Sequence, residues 1–201
     1  MDYKEFTTSN KNETAIEAVT RYENLLKLLN ESIEDFNESE SLFLVDYKNA
    51  IGVEEYISKT EKRYNIELPK SYKKFMVEKG PFSFGKDNLD SYLYSPLLGT
   101  LAEKIIATDY YSDIEAIKKD FGEGGAKRME ELIVFKKEDD YAFSCFDIST
   151  YNPKTKEMII FYSDQDDWLG DNNSEDSSFD EFIIESVSDQ IESVLDYVDD
   201  L

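Results

Sequence analysis

Carboxylates and a single tryptophan are the residues of this chain that point most sharply to a site. Asp164, Gln165, Asp166, Asp167, Trp168, Leu169, Gly170 and Asp171 make a short acidic run behind an apolar segment. Three readings fit it. An exposed Trp168 ringed by Asp164, Asp166, Asp167 and Asp171 would offer a protein partner an apolar anchor among steering charges. Asp164 and Asp166, spaced Asp-x-Asp after a strand, would instead hold a divalent cation, although the run lacks the sixth-position glycine of a calcium-binding EF-hand loop. In the third reading the loop is solvated and Trp168 folds into the edge of the core. A second acidic group, Glu138, Asp139 and Asp140, separates two apolar runs, where a hairpin turn is expected and acids are common.

Conventional catalysis has little to draw on. The chain has no histidine, so the commonest general base and metal ligand is missing. The one cysteine, Cys145, excludes an internal disulfide. Set between Phe143 and Phe146, it reads as an inert, part-buried thiol on a strand. Gly122, Glu123, Gly124, Gly125, Ala126, Lys127 and Arg128 lack the spacing of a phosphate-binding loop and read as a turn. The chain is therefore expected to be no enzyme and to need no cofactor.

Charge narrows the partners. With 22 Lys and Arg against 45 Asp and Glu, the net charge is −23, which repels nucleic-acid phosphates and anionic membrane surfaces and attracts basic proteins. Basic patches interleaved with aromatics are absent, so no nucleic-acid partner is expected. The beginning of the chain lacks a basic stretch followed by an apolar one, and no apolar run is long enough for a membrane span. The expected compartment is the cytoplasm and the expected state a monomer. Hydrophobic residues at 40% and aromatics at 14%, over 201 residues, suffice for a packed core without metals or disulfides.

The elements that must position these residues follow from periodicity. Ile16, Val19, Tyr22, Leu26, Leu29, Ile33 and Phe36 step by three and four, which predicts a helix over 13–38 capped by Asn12 or Thr14. This stripe would pack on its own domain or pair with a second chain as a short coiled coil. Residues 53–65 and 69–79 read as helices, the second opening at Pro69 and stopped by Gly80 and Pro81. Phe82 and Phe84, then Tyr92, Leu93 and Tyr94, look like short strands or an irregular segment. Residues 100–121 are ambiguous, with a short helix from Asp113 to Lys119 before the glycines. Then the helical period gives way to short β-rich runs. Runs at 131–136, 141–148 and 157–163, joined by tight connections, predict an antiparallel meander. Ser177 or Ser178 caps a last helix over 178–198, with Glu181 three residues after Ser178 as a capping box. Helices, then strands, then a helix give an α+β fold: a twisted antiparallel sheet with helices packed around it, plus an extra N-terminal helix.

This order resembles the SUKH superfamily, the Smi/Knr-like proteins, over about residues 52–199. The resemblance rests on three elements: Ile66, Glu67, Leu68, Pro69, then Tyr72 and Phe75, ending at Gly80; the meander with Asp147 on its middle strand; and Trp168 followed by Ser177, Ser178, Phe179, Asp180, Glu181 and Phe182. Residues 96–130 are longer than the family pattern, and residues 1–50 lie outside it. The expected division is an accessory helical segment over 1–50 and a SUKH-like α+β domain over 51–201.

The resemblance implies a function. Bacterial members of the superfamily look like immunity proteins that bind and neutralise a toxin, usually a nuclease or deaminase, whereas fungal members are regulatory scaffolds. Nuclease domains are basic because they hold phosphates, so an acidic inhibitor suits them. The expected mode is binding of a basic toxin domain through Asp164, Asp166, Asp167, Trp168 and Asp171 together with the turn at Glu138, Asp139 and Asp140. The alternatives are a regulatory scaffold and, less simply, a metal-dependent transferase using Asp164 and Asp166.

Overall fold

A computed structural model describes residues 3–34, 36, 43–47, 51–85, 99–137, 141–170, 174–175 and 177–201. At its centre is the expected meander: β4 (Leu132–Lys137), β5 (Phe143–Asp147) and β6 (Ile160–Ser163). Two short edge strands, β3 (Gly99–Thr100) and β7 (Ser174–Glu175), complete a five-stranded sheet in the order β3-β4-β5-β6-β7, antiparallel throughout. A separate two-stranded ribbon pairs β1 (Val45–Tyr47) with β2 (Phe82–Phe84).

Alternation along the central strands sends side chains to two different cores. Ile133, Phe135, Phe146 and Ile160 belong to one core, and Leu132, Val134, Phe143, Cys145 and Phe161 to the other, all buried. Strands that read as unbroken apolar runs are those covered on both sides. Helices accordingly lie on both faces, packed around the sheet as expected.

The first face carries α2 (Ala15–Ser32), α3 (Val53–Tyr64), α4 (Lys70–Glu78) and α7 (Phe179–Asp199). Short α1 (Lys4–Thr7) precedes them. Between α4, α7 and the sheet sits a knot of rings: Tyr72 lies 5.1 Å from Phe146 and 5.3 Å from Phe179, and Phe135 stacks on Phe146 at 4.2 Å. Edge-to-face and offset pairs of this kind add to simple area burial. The Leu-Pro segment thus has a structural task. Leu68, Tyr72, Phe75 and Met76 are all buried, and the α4 N-terminus is tied to the strand side by Ser71, whose amide and hydroxyl donate to Glu157.

Helix α2 is shorter than the stripe suggests, ending at Ser32 because Ile33 turns extended. Thr14 and Glu17 form its capping box, and Asp180 on α7 accepts the Ala15 amide at 2.7 Å. Its buried face is Ala15, Ala18, Val19, Tyr22, Leu25, Leu26 and Leu29, which packs on α7 rather than standing free for a second chain. Expected helices 53–65, 69–79 and 178–198 correspond to α3, α4 and α7, and Ser178 with Glu181 caps α7 as expected.

The second face is built by the segment that the sequence left ambiguous. Thr100 and Glu103 form a capping box for α5 (Leu101–Ala107), and Asp113 caps α6 (Ile114–Glu130). Leu101, Ile105, Ile117 and Met129 are fully buried here. The turn expected at Gly122–Gly125 is instead a kink inside α6. Only Gly122 leaves helical geometry, with φ 73° and ψ 174°, a conformation that glycine adopts without a Cβ penalty, and the helix resumes after it. No helix among the described residues is long and apolar enough to cross a membrane.

An ion pair locks α6 to the middle strand. Arg128 Nη1 donates to Asp147 Oδ1 at 2.7 Å and Nη2 to Oδ2, while the Ser149 amide and hydroxyl add 2.9 and 2.6 Å bonds to Oδ1. Burial alone would raise the Asp147 carboxyl, but the bonds from Arg128 and Ser149 outweigh it and hold the group below its ordinary range. A carboxyl with a depressed folded-state pKa stabilises the fold fully above about pH 4, and that stability is lost as pH falls through the folded value. Asp147→Asn is expected to cost about 3 kcal/mol at neutral pH, the lower end for a broken buried pair because the Arg128 side chain remains 29% exposed. It should also flatten the loss of stability below about pH 4. Urea midpoints measured from pH 3 to 7 check this; a variant with the wild-type pH slope would show that Asp147 does not carry it.

Candidate protein-binding site

Strand β6 ends at Ser163, and the acidic run folds immediately into a tight turn. Asp164 Oδ1 accepts the amides of Asp166 at 2.9 Å and Asp167 at 3.2 Å, an Asx turn closed by an isolated bridge between Asp164 and Asp167. The buried Ser163 hydroxyl donates to the Trp168 carbonyl at 2.9 Å. Gly170 completes the turn: a Cβ there would lie 1.7 Å from Asp167 Oδ2 and 2.3 Å from its Cγ, so no other residue fits without moving that carboxylate.

Held in this way, the turn leaves two of its carboxylates exposed and its indole buried. Asp166 and Asp167 are exposed and Asp164 is half-buried. Trp168 is 2% exposed, stacked on Phe143 at 6.3 Å and met edge-on by Tyr110 at 5.4 Å. The exposed apolar anchor expected at Trp168 is therefore corrected. The indole belongs to the second core with Phe143, Cys145 and Phe161, because the sheet face beneath the turn offers it apolar cover. Its Nε1 is buried with no acceptor among the described residues.

Asp171, Glu138, Asp139 and Asp140, also expected at the site, lie outside the described residues. For the metal reading, Asp164 Oδ1 is already occupied by two backbone donors, and no three acidic or cysteine residues gather around a common point among the described residues. Cys145 is fully buried within the sheet.

Two surfaces escaped the sequence reading. The first is the outer face of α7, where Glu181, Glu185, Asp189, Glu192 and Asp196 are all exposed. Their spacing of three and four was legible, and no Lys or Arg follows Lys156 anywhere in the chain. The second is aromatic. Tyr110 and Tyr141 are 45% and 37% exposed, with their rings 5.9 Å apart beside Trp168. Only folding brings them together, since one precedes α6 and the other follows β4.

Comparison with known proteins agrees with this architecture. No curated protein matches the chain. The pattern of one family, described as the SMI1 / KNR4 family (SUKH-1), matches residues 53–185, from the start of α3 into α7. That span takes in the Leu-Pro helix, the Arg128–Asp147 lock, the whole meander and the acidic turn, and it covers more than half of the 201 residues: the chain belongs to the SMI1 / KNR4 family (SUKH-1).

Proposed function

We propose that this protein is an immunity-type inhibitor that acts by binding a basic toxin domain, a nuclease or deaminase in character, and not by catalysis. Membership of the family makes a binding role of this kind consistent, and the observation that carries the finer reading is the exposure of Asp166 and Asp167 on a turn that Asp164 and Ser163 hold together by hydrogen bonds. A preorganised carboxylate cluster meets a cationic surface without losing loop entropy on binding.

Binding of the purified chain to the basic toxin domain encoded beside its gene tests the proposal. Charges further apart than about 8 Å are screened at physiological salt, so the association rate should fall as salt rises while dissociation changes less. Replacing Asp166 and Asp167 together by Asn should slow association by up to about tenfold at low salt, the lower end of electrostatic steering. An association rate indifferent to salt and to both substitutions would remove the acidic turn from the interface.

A further inference from the structure

Helix α7 differs in charge from α3 and α6. In α3, Glu55 pairs with Lys59 one turn on, and Lys62 and Arg63 occupy the last turn. In α6, Lys118 pairs with Glu115 and Lys127 with Glu131, and Lys127 and Arg128 occupy the last turn. Cations there face the negative end of the helix dipole and steady it. Helix α7 holds no Lys or Arg, and Asp196 and Asp199 lie in its last turn. Glu185, Asp189, Glu192 and Asp196 are exposed three or four residues apart, and no ion pair within the described residues reaches them. Like charges at that spacing repel and weaken a helix. Solubility does not require such a stripe, since a face of mixed sign, as on α3, serves it as well.

The stripe adjoins a groove. Helix α1 packs against α7, and between them lies a cavity of about 380 Å³, lined by Thr7 of α1 and by Asp189, Ile191, Glu192, Leu195 and Asp196 of α7. Ile191 and Leu195 give it apolar surface and the three carboxylates give it charge. Among the described residues no three acids gather round one point. Instead the stripe runs from Glu185 to Asp196, about 16 Å of helix, which matches a row of cations rather than a single ion. A helix presents side chains at that pitch, and an amphipathic one lays its apolar face into a groove. A second copy of this chain would bring the same charge of −23 and be repelled.

We infer that the groove between α1 and α7 receives a basic amphipathic helix of a partner protein, with its apolar side chains against Ile191 and Leu195 and its Lys and Arg along Glu185, Asp189, Glu192 and Asp196. The inference rests on the reading that the partner is a basic protein, and it deepens that reading by naming the element the partner presents and a second contact, on a different element from the acidic turn.

The test uses the full chain and two peptides of about eighteen residues, long enough to span the stripe. One is helical with Arg and Leu on one face and Ala and Gln on the other; the second has the same composition scrambled, with equal charge and no such face. The wild type should bind the amphipathic peptide at least about fivefold more tightly, from burial of its leucines. At saturation the amide chemical shifts of Thr7 and of residues 185–196 should move. Glu185→Gln, Asp189→Asn, Glu192→Gln and Asp196→Asn together should weaken the amphipathic peptide about tenfold, because exposed ion pairs are individually weak and four are removed. The same variant should melt a few degrees above wild type, since the repulsion is relieved. Equal affinities for the two peptides, or unmoved α7 signals at saturation, would overturn the inference whatever the variant does. A lowered melting temperature would also overturn it, because the carboxylates would then serve the fold. Weakening by Asp166→Asn with Asp167→Asn, but none by the α7 changes, would overturn the groove and leave the acidic turn standing. Weakening by the α7 changes alone would support the groove and count against the turn.

Discussion

Deletion of residues 1–34 is expected to abolish cooperative unfolding. Helix α2 contributes Val19, Tyr22, Leu25 and Leu29 with no exposed surface, and Leu26 with 6%. They share a core with Val187, Ile191 and Val194 of α7, along which α2 packs. Full burial of one such side chain is worth about 1.5–3 kcal/mol, so these five account for roughly 7–15 kcal/mol. A domain's whole stability is about 5–15 kcal/mol. The deletion also takes away the Tyr22 hydroxyl bond to the Phe43 carbonyl and leaves Asp180 without the Ala15 amide. What remains would expose the apolar face of α7 to water. Thermal and urea melts of residues 35–201 should show a broad, non-cooperative change, with loss of near-ultraviolet signal from the aromatic cluster. The point variant Leu25→Ala, in the full chain, should cost about 2–5 kcal/mol. A truncated protein with a sharp transition near the wild-type midpoint would restore α2 to the accessory part expected from its place outside the family pattern.

Why α2 read as accessory, while so much else was legible, has a physical explanation. The Leu-Pro helix, the meander and the last helix announce themselves through local chemistry: a proline in a first turn, short β-rich apolar runs, and Ser178 with Glu181. Such signals survive without knowledge of the fold. Which surface covers which is not local. The stripe of α2 is equally suited to another chain, and only its fit along α7 decides. The second helical layer is only partly legible for a different reason. Three glycines in four residues suggested a break, yet only Gly122 needs a backbone that other residues avoid, and a helix packed on a sheet tolerates the other two. Thr100 and Glu103, whose capping box opens α5, are a legible local sign of it. At the candidate site the carboxylates were legible and their neighbour was not. Composition marks Trp168 as exceptional, but its direction is set by Asp164 and Ser163 bonding within the turn and by the apolar sheet face below.

That direction determines what Trp168→Ala will do. With the indole 2% exposed between Phe143 and Tyr110, truncation leaves a cavity against the sheet, at a cost of about 3–5 kcal/mol. For a chain of this length each kcal/mol shifts the melting temperature by roughly 2–4 °C, so a fall of about 10 °C is expected. Trp168→Phe separates the volume of the ring from its polar atom. Because Nε1 has no acceptor among the described residues, the phenyl ring forfeits no hydrogen bond within them, and removal of an unsatisfied buried donor offsets part of the lost packing. The phenylalanine variant should therefore melt within a few degrees of wild type, well above the alanine variant. An exposed interface anchor would give the opposite pattern, with the melting temperature unchanged in Trp168→Ala and affinity for the basic partner reduced at least about thirtyfold, as for a hot-spot residue. Melting temperature and affinity of the folded fraction, measured on the same two variants, decide the matter. A Trp168→Phe variant as unstable as Trp168→Ala would mean that the indole nitrogen finds an acceptor in solution.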